Sequence, residues 1–414
     1  MSPVVVLRRA ASLAALSLSA FLLSSCGGGG GGSTTSASAA ALATTSTGVA
    51  LATSDSLAGI CTAEGQKDWV RSFMTETYFW WDQMPTVDPA GSATPSAYFN
   101  ALLVKTLDAT NLPKDRFSTT MSAAAADLMQ GISAAAVPSA APGTDPVPLT
   151  KTMTSSAGRR VGYVVFNEFK QGAQDKLVAA FQDFRAGNVQ DLVLDLRYNP
   201  GGYLYIAQAL GAMVAGPSID GKVYEQLLYS NKRQFANETM YFSTAVTSPE
   251  SVYPAGTPLP QLDLPRLYVL TSQLTCSASE SLVNSLRGIG VQVILVGDRT
   301  CGKPYGFHRK DNCGQAYFPI EFKVANAIGT SDYTSGFPVQ CRVAENPAKP
   351  LGDATEPLLA AALRHIDTGS CPPAAQVAAA GVLVEASAPS LLDRPGAPAA
   401  DSPGYQPGFD GMQR

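Results

Sequence analysis

Between Arg160 and Val296 the chain repeats one pattern: a short apolar run, an amphipathic stretch, then another apolar run. Val161-Gly162-Tyr163-Val164-Val165-Phe166 reads as a strand and residues 191–196 as a second apolar strand, and residues 176–186 between them have the spacing of an amphipathic helix. The turn Asn199-Pro200-Gly201-Gly202 leads into a helix over 203–214. Strands at 266–271 and 291–296 then flank a helix at 279–287. Strands alternating with helices of this length imply a parallel-rich α/β core. Beyond it, β-type stretches at 316–322 and 337–343 predict an antiparallel or irregular lobe, and residues 356–365 a late helix.

The flanks read differently. Trp69, Phe73, Thr77, Trp80 and Trp81 recur at helical spacing until Pro85, and a second helix is expected over 97–107 with Ser96 as N-cap. Residues 59–118 therefore form a small helical domain, with the aromatic run Tyr78 to Trp81 as core. Residues 119–158 are rich in Ala, Pro, Ser and Gly and read as a linker with one helical patch at 123–129; residues 371–414 lack periodicity and are expected to be a disordered tail. Residues 1–26 are a targeting segment, with Arg8 and Arg9 before an apolar stretch too short to span a bilayer, and the Gly and Ser/Thr/Ala run at 27–58 is a flexible tether. Leu23-Ser24-Ser25-Cys26 resembles a lipobox, which implies a diacylglyceryl anchor on Cys26 and a membrane as partner. The expected location is the cell envelope, facing the periplasm; the residue after Cys26 is not Asp, which favours the outer membrane.

Charge excludes one class of partner. The formal charge is −4, from 29 basic and 33 acidic residues with no long run of either sign, so no stripe for nucleic acid is visible. Besides Cys26 the chain holds Cys61, Cys276, Cys301, Cys313, Cys341 and Cys371. In an oxidising compartment an even set favours disulfides, and six cysteines allow about 15 pairings; the short excursion between Cys301 and Cys313 makes them the preferred local pair. Without paired C-x-x-C units, and with only His308 and His365, neither a structural zinc site nor any other metal or cofactor is expected.

The chemistry gathers after the strand at 266–271. Ser277 falls at a strand-to-helix turn, beside the free backbone N–H groups of a helix start, where an acyl-transfer nucleophile belongs; the competing reading is a plain helix cap. A serine hydroxyl needs a base. His308 and His365 lack an evident Asp partner and no G-x-S-x-G elbow occurs, so a Ser-His esterase built on His308 has little local support. Lys303, after Gly297-Asp298-Arg299-Thr300-Cys301-Gly302, can serve if burial disfavours its charged form.

Three segments carry a resemblance: Gly162-Tyr163 through Leu194-Asp195-Leu196-Arg197-Tyr198-Asn199-Pro200-Gly201-Gly202, Ser277-Ala278-Ser279-Glu280, and Gly297 to Lys303. Together they are similar to the carboxyl-terminal processing, or tail-specific, serine peptidases, and Asp115-Arg116-Phe117-Ser118 resembles the segment before that family's peptide-binding domain. The resemblance implies a ClpP/crotonase-like α/β catalytic core over 159–370 with a helical amino-terminal cap, Ser277 as nucleophile and Lys303 as base. It implies an oxyanion site at Gly201 or Gly202 with Ala278, and supporting roles for Glu280 as a brace and Thr300 as a hydroxyl orienting Lys303. Asp195 and Arg197 are expected to pin the strand end.

Two departures stand out. The family's third polar partner falls here on Gly288 or Phe307, and 119–158 is too short for the PDZ domain of roughly 80–100 residues that the family carries, which would take a substrate tail by strand addition. The expected function is a serine endopeptidase acting on exported polypeptides through an acyl-enzyme. The alternative is a catalytically inactive, peptidase-like lipoprotein that binds peptides or scaffolds envelope proteins.

Overall fold

The computed structural model describes residues 51–130 and 145–373. Along the chain the first elements are α1 (Ser54–Leu57), α2 (Ala63–Thr77), α3 (Pro95–Leu102), β1 (Thr119–Ser122) and α4 (Ala123–Gln130). The α/β part begins with β2 (Leu149–Thr154), β3 (Arg160–Val165), α5 (Ala173–Ala186), β4 (Asp191–Asp195) and α6 (Leu204–Ala215). It continues through β5 (Val223–Tyr229), β6 (Glu238–Tyr241), β7 (Arg266–Thr271), α7 (Ala278–Gly288) and β8 (Gln292–Gly297). The last elements are β9 (Tyr305–Gly306), β10 (Lys310–Asn312), β11 (Gln315–Phe318), β12 (Phe322–Ala325), β13 (Cys341–Arg342) and α8 (Pro357–Thr368).

Six strands form the main sheet in the order β13-β8-β7-β4-β3-β2, parallel except for β2, which runs antiparallel to β3. Side chains on successive strand residues leave by opposite faces. Leu267 and Val269 of β7 thus join a core with α5, α6 and α7, whereas Tyr268 and Leu270 join a second core with α8. Unbroken apolar strands are what a sheet covered on both faces requires. A third cluster packs α2 and α3 against β11 through Trp69, Phe73, Phe99 and Tyr317, and each such fully buried side chain contributes roughly 1.5–3 kcal/mol. The helical amino-terminal part is therefore seated on the β10–β11 lobe, and Tyr78 and Trp80 are core residues as expected.

Several expectations need correction. Thr94, not Ser96, caps α3, its hydroxyl accepting from Ala97 N–H at 3.1 Å; Ser96 instead accepts from Gln315. The stretch read as tether already contains α1, tied to α2 by Ser54 N–H donating to Glu76. The stretch read as linker supplies β1, paired with β11, and the edge strand β2. Of residues 337–343 only Cys341–Arg342 is strand, and the pair β5–β6 was not foreseen. The cysteines join Cys61–Cys313, Cys276–Cys301 and Cys341–Cys371, so the expected Cys301–Cys313 pair is wrong. The signal segment with Cys26, and the tail from 374, lie outside the described residues, among which no helix is long and apolar enough to cross a membrane.

Candidate active site

The carboxyl ends of three adjacent parallel strands converge: the glycine turn follows β4, Ser277 follows β7 and Lys303 follows β8. This is where parallel α/β sheets commonly hold their ligands. The β4 end is set rigidly. Arg197, buried at 1% exposure, pairs with Asp195 at 2.8 Å and Glu356 at 3.0 Å, so the structural role expected for Asp195 and Arg197 holds. Asp195 and Glu356 hold the guanidinium well above the usual arginine range against the opposing effect of burial.

Asn199, which the sequence reading left without a role, ties this end to its neighbours. Its Nδ2 donates to Phe166 O at 3.0 Å, its Oδ1 accepts from Gly201 N–H at 2.9 Å, and its carbonyl accepts from Cys276 N–H at 3.1 Å and Ser279 Oγ at 3.1 Å. Gly201 lies directly on the Ser277 turn. A Cβ there would stand 2.7 Å from Ser277 Cβ and 3.0 Å from Ala278 N, and its φ of +115° also demands glycine. Of the amides expected to face an oxyanion, Gly201 N–H is already engaged, whereas those of Gly202 and Ala278 meet no acceptor among the described residues.

Ser277 has φ 58° and ψ −116°, a conformation non-glycine residues rarely adopt, and it precedes the first residue of α7. The same strained strand-turn-helix geometry is used by nucleophile elbows, although no G-x-S-x-G sequence announces it here. Its Oγ is buried without a hydrogen-bond partner among the described residues, although Ser277 and Glu280 stand in the capping-box arrangement at the start of α7. What α7 receives at its start is Glu280, a carboxylate in the first turn.

Glu280 is the hub of the site. One oxygen, Oε2, accepts from Ser277 N–H at 3.1 Å and from Lys303 N–H at 2.8 Å; the other accepts from Gly302 N–H at 2.8 Å and Thr300 Oγ1 at 2.5 Å. The backbones of Ser277 and Lys303 thus meet on a single atom. Burial pushes the Glu280 carboxyl up, while the bonds from Thr300, Lys303, Gly302 and Ser277 pull it down. Thr300 donates to Glu280 and accepts from Phe337 N–H at 2.7 Å. Its hydroxyl thus ties Glu280 to the Phe337 backbone.

Lys303 is fully buried, its Nζ 5.3 Å from the centre of the Phe117 ring and 5.1 Å from that of Phe307. Phe117 reaches the site because buried Asp115 accepts from the N–H groups of Phe117 and Ser118 and from Tyr78 Oη. The amino-terminal part therefore helps to build the lysine's surroundings. Phe307 occupies one of the two positions where a third polar partner was sought. At the other, Gly288 packs so that a Cβ would stand 2.8 Å from Asn326.

The Cys276–Cys301 disulfide, also missed, links the residue before Ser277 to the loop that carries Lys303. Its sulfurs and a Glu280 oxygen lie within 4.8 Å of one another, as do Cys341, Cys371 and His365 elsewhere, but in both groups the disulfide takes up the sulfurs that would ligate a metal.

Residues 160–310 match Peptidase family S41 and residues 65–119 match the Peptidase S41 N-terminal domain. A carboxyl-terminal-processing protease of Picosynechococcus sp. is 33% identical over 156 residues, covering 38% of this chain and 32% of that protein. The carboxy-terminal processing protease CtpB of Bacillus subtilis is 27% identical over 146 residues, covering 35% of this chain and 26% of that one. The chain thus spans about a third or less of the length of these relatives. A crystal structure from Bacteroides fragilis, described as an S41 protease, shares the fold with a TM-score of 0.60 at 23% identity, covering 73% of this chain and 97% of that one.

Proposed function

From a chain that carries the catalytic and amino-terminal domains of peptidase family S41, we propose a serine endopeptidase that cuts exported polypeptides, with Ser277 as nucleophile and Lys303 as general base. The observation that carries this reading is the single Glu280 oxygen accepting from the backbone of both residues, beside a strained serine whose hydroxyl is uncommitted.

In the mechanism Ser277 Oγ attacks the peptide carbonyl while neutral Lys303 takes its proton, and full burial of the lysine favours the uncharged amine the step requires. The N–H groups of Gly202 and of Ala278, the first residue of α7, hold the oxygen that becomes negative. Lys303 then protonates the leaving amine, and the acyl-enzyme is hydrolysed by water that the same amine activates. Every role is filled by a group of this chain. The hydroxyl must swing to meet the lysine as substrate enters, in keeping with catalytic hydrogen bonds that tighten only in the complex.

A lipid anchor at Cys26 would hold the enzyme in the envelope, probed from the periplasmic side by its substrates. The interval from residue 131 to residue 148, between α4 and β2, cannot house a PDZ domain, so cleavage is proposed without tail capture by such a domain.

One observation favours the binding-only reading: Ser277 Oγ makes no hydrogen bond to a base. Incubation with a denatured reporter polypeptide, with new termini read by mass spectrometry, separates the two. Ser277→Ala is expected to fall to background and Lys303→Ala to lose roughly 10²–10⁴-fold in kcat. Wild-type protein that generates no termini, or a Lys303→Ala variant as fast as wild type, contradicts the proposal.

A further inference from the structure

We propose that the Cys276–Cys301 disulfide is a redox control on this site: hydrolysis proceeds with the bond closed, and a thiol reductant switches it off. The inference rests on Ser277 and Lys303 as the reacting pair and adds how that pair is regulated.

Position singles this bond out. Cys276 immediately precedes Ser277 and Cys301 lies two residues before Lys303, so one covalent link joins the nucleophile turn to the lysine loop. The other two bonds serve elsewhere: Cys61–Cys313 fastens the start of the helical part to the turn between β10 and β11, and Cys341–Cys371 joins β13 to the chain after α8. A backbone as strained as that of Ser277 persists only where its surroundings over-determine it. The restraints are the Asn199 carbonyl on Cys276 N–H, the Glu280 carboxylate on Ser277 N–H, Gly201 against Ser277 Cβ, and this disulfide.

Opening the bond removes one restraint and attacks another. Cys301 is half-buried while Cys276 is 5% exposed, so an incoming thiolate reaches Cys301 Sγ and Cys276 is the sulfur expelled. A dithiol supplies the two electrons and two protons: its first sulfur forms a mixed disulfide with Cys301, its second displaces Cys301, and the products are two cysteine thiols and the cyclic oxidised reductant. Cys301 Sγ already stands 3.3 Å from Glu280 Oε2. As a thiol it becomes a donor to the same oxygen that accepts from Ser277 and Lys303, and it competes with both. Closure in an oxidising compartment would complete the site, leaving the chain silent in a reducing one.

The test uses the full chain and a fluorophosphonate probe, with the adduct at Ser277 quantified by peptide mass spectrometry as isolated, after dithiothreitol with EDTA present, and after reoxidation. EDTA removes metal capture by the freed thiols as a cause, and alkylation mapping reports which cysteine pairs have opened. The labelling rate is expected to fall about tenfold or more as the Cys276–Cys301 pair opens, a displacement of about 1 Å being enough for such a loss, and to recover on reoxidation. Cys276→Ala/Cys301→Ala is expected to label slowly and to ignore the reductant. Protein with this pair open that labels within about twofold of the oxidised form overturns the switch, as does a loss that follows opening of either other pair. Oxidised wild type with no adduct at Ser277 instead sinks the nucleophile assignment, and the switch with it.

Discussion

Glu225→Gln should stabilise the fold, and by an amount that grows with pH. Glu225 lies on β5 with no exposed surface; one oxygen stands 2.7 Å from Ser281 Oγ, the next turn of α7 after Ser277, and the other has no partner. Burial pushes its carboxyl up to about 8 from an ordinary 4.5, against the hydrogen bond of Ser281. The folded chain therefore carries this group neutral where the unfolded chain carries it ionised. Between pH 4.5 and 8 the native state binds the extra proton, so unfolding gains ground as pH rises through that window. The penalty is absent well below 4.5, about 3 kcal/mol at pH 7, and about 5 kcal/mol once the folded group ionises above 8. Glutamine keeps the shape and the bond to Ser281 but has no proton to lose. Urea unfolding of both proteins at pH 5, 6, 7 and 8, disulfides intact, gives a difference in which every other titration cancels. The variant should be within about 1 kcal/mol of wild type at pH 5 and lead by several kcal/mol at pH 8. A difference that stays constant across the range refutes a neutral Glu225.

Two further substitutions probe the frame of the site. Gly201→Ala sets a methyl 2.7 Å from Ser277 Cβ on a backbone with φ +115°, and kcat in the reporter assay should fall by about 10²-fold or more; an unaffected rate would mean that the turn does not shape the nucleophile. Arg197→Met leaves Asp195 and Glu356 buried without their guanidinium, and urea unfolding at pH 7 should show a loss of about 3–5 kcal/mol, whereas a loss under about 1 kcal/mol would discount the ion-pair cluster.

The central strands were legible because a sheet buried on both faces leaves an unbroken apolar record, as in Leu267-Tyr268-Val269-Leu270. Edge and lobe strands left none. In β2, Leu149–Thr154, most side chains face solvent, and the strand reads as polar linker. β5 hid its nature behind Glu225, a charged residue type in a buried place that no local pattern explains. The residues of the site were legible individually, since glycine turns and strand ends mark themselves; their connections were not. Cys276 and Cys301 pair because β7 and β8 are parallel neighbours with Thr271 opposite Gly297, so the two chains leave the sheet together. Similar spacing beyond adjacent strands, five residues past Thr271 and four past Gly297, was the signal available. Glu280 as a hub, by contrast, needs the third dimension: its partners at Thr300, Gly302 and Lys303 come from another strand's exit.

The most direct test is the site of covalent modification itself. Reaction of the oxidised full chain with a peptidyl phosphonate, digestion and sequencing by mass spectrometry should place the adduct on Ser277 in wild type, with its rate of formation in Lys303→Ala lower by roughly 10²-fold or more. An adduct on a different serine, or a Lys303→Ala protein that reacts as fast as wild type, would contradict the pairing of these two residues.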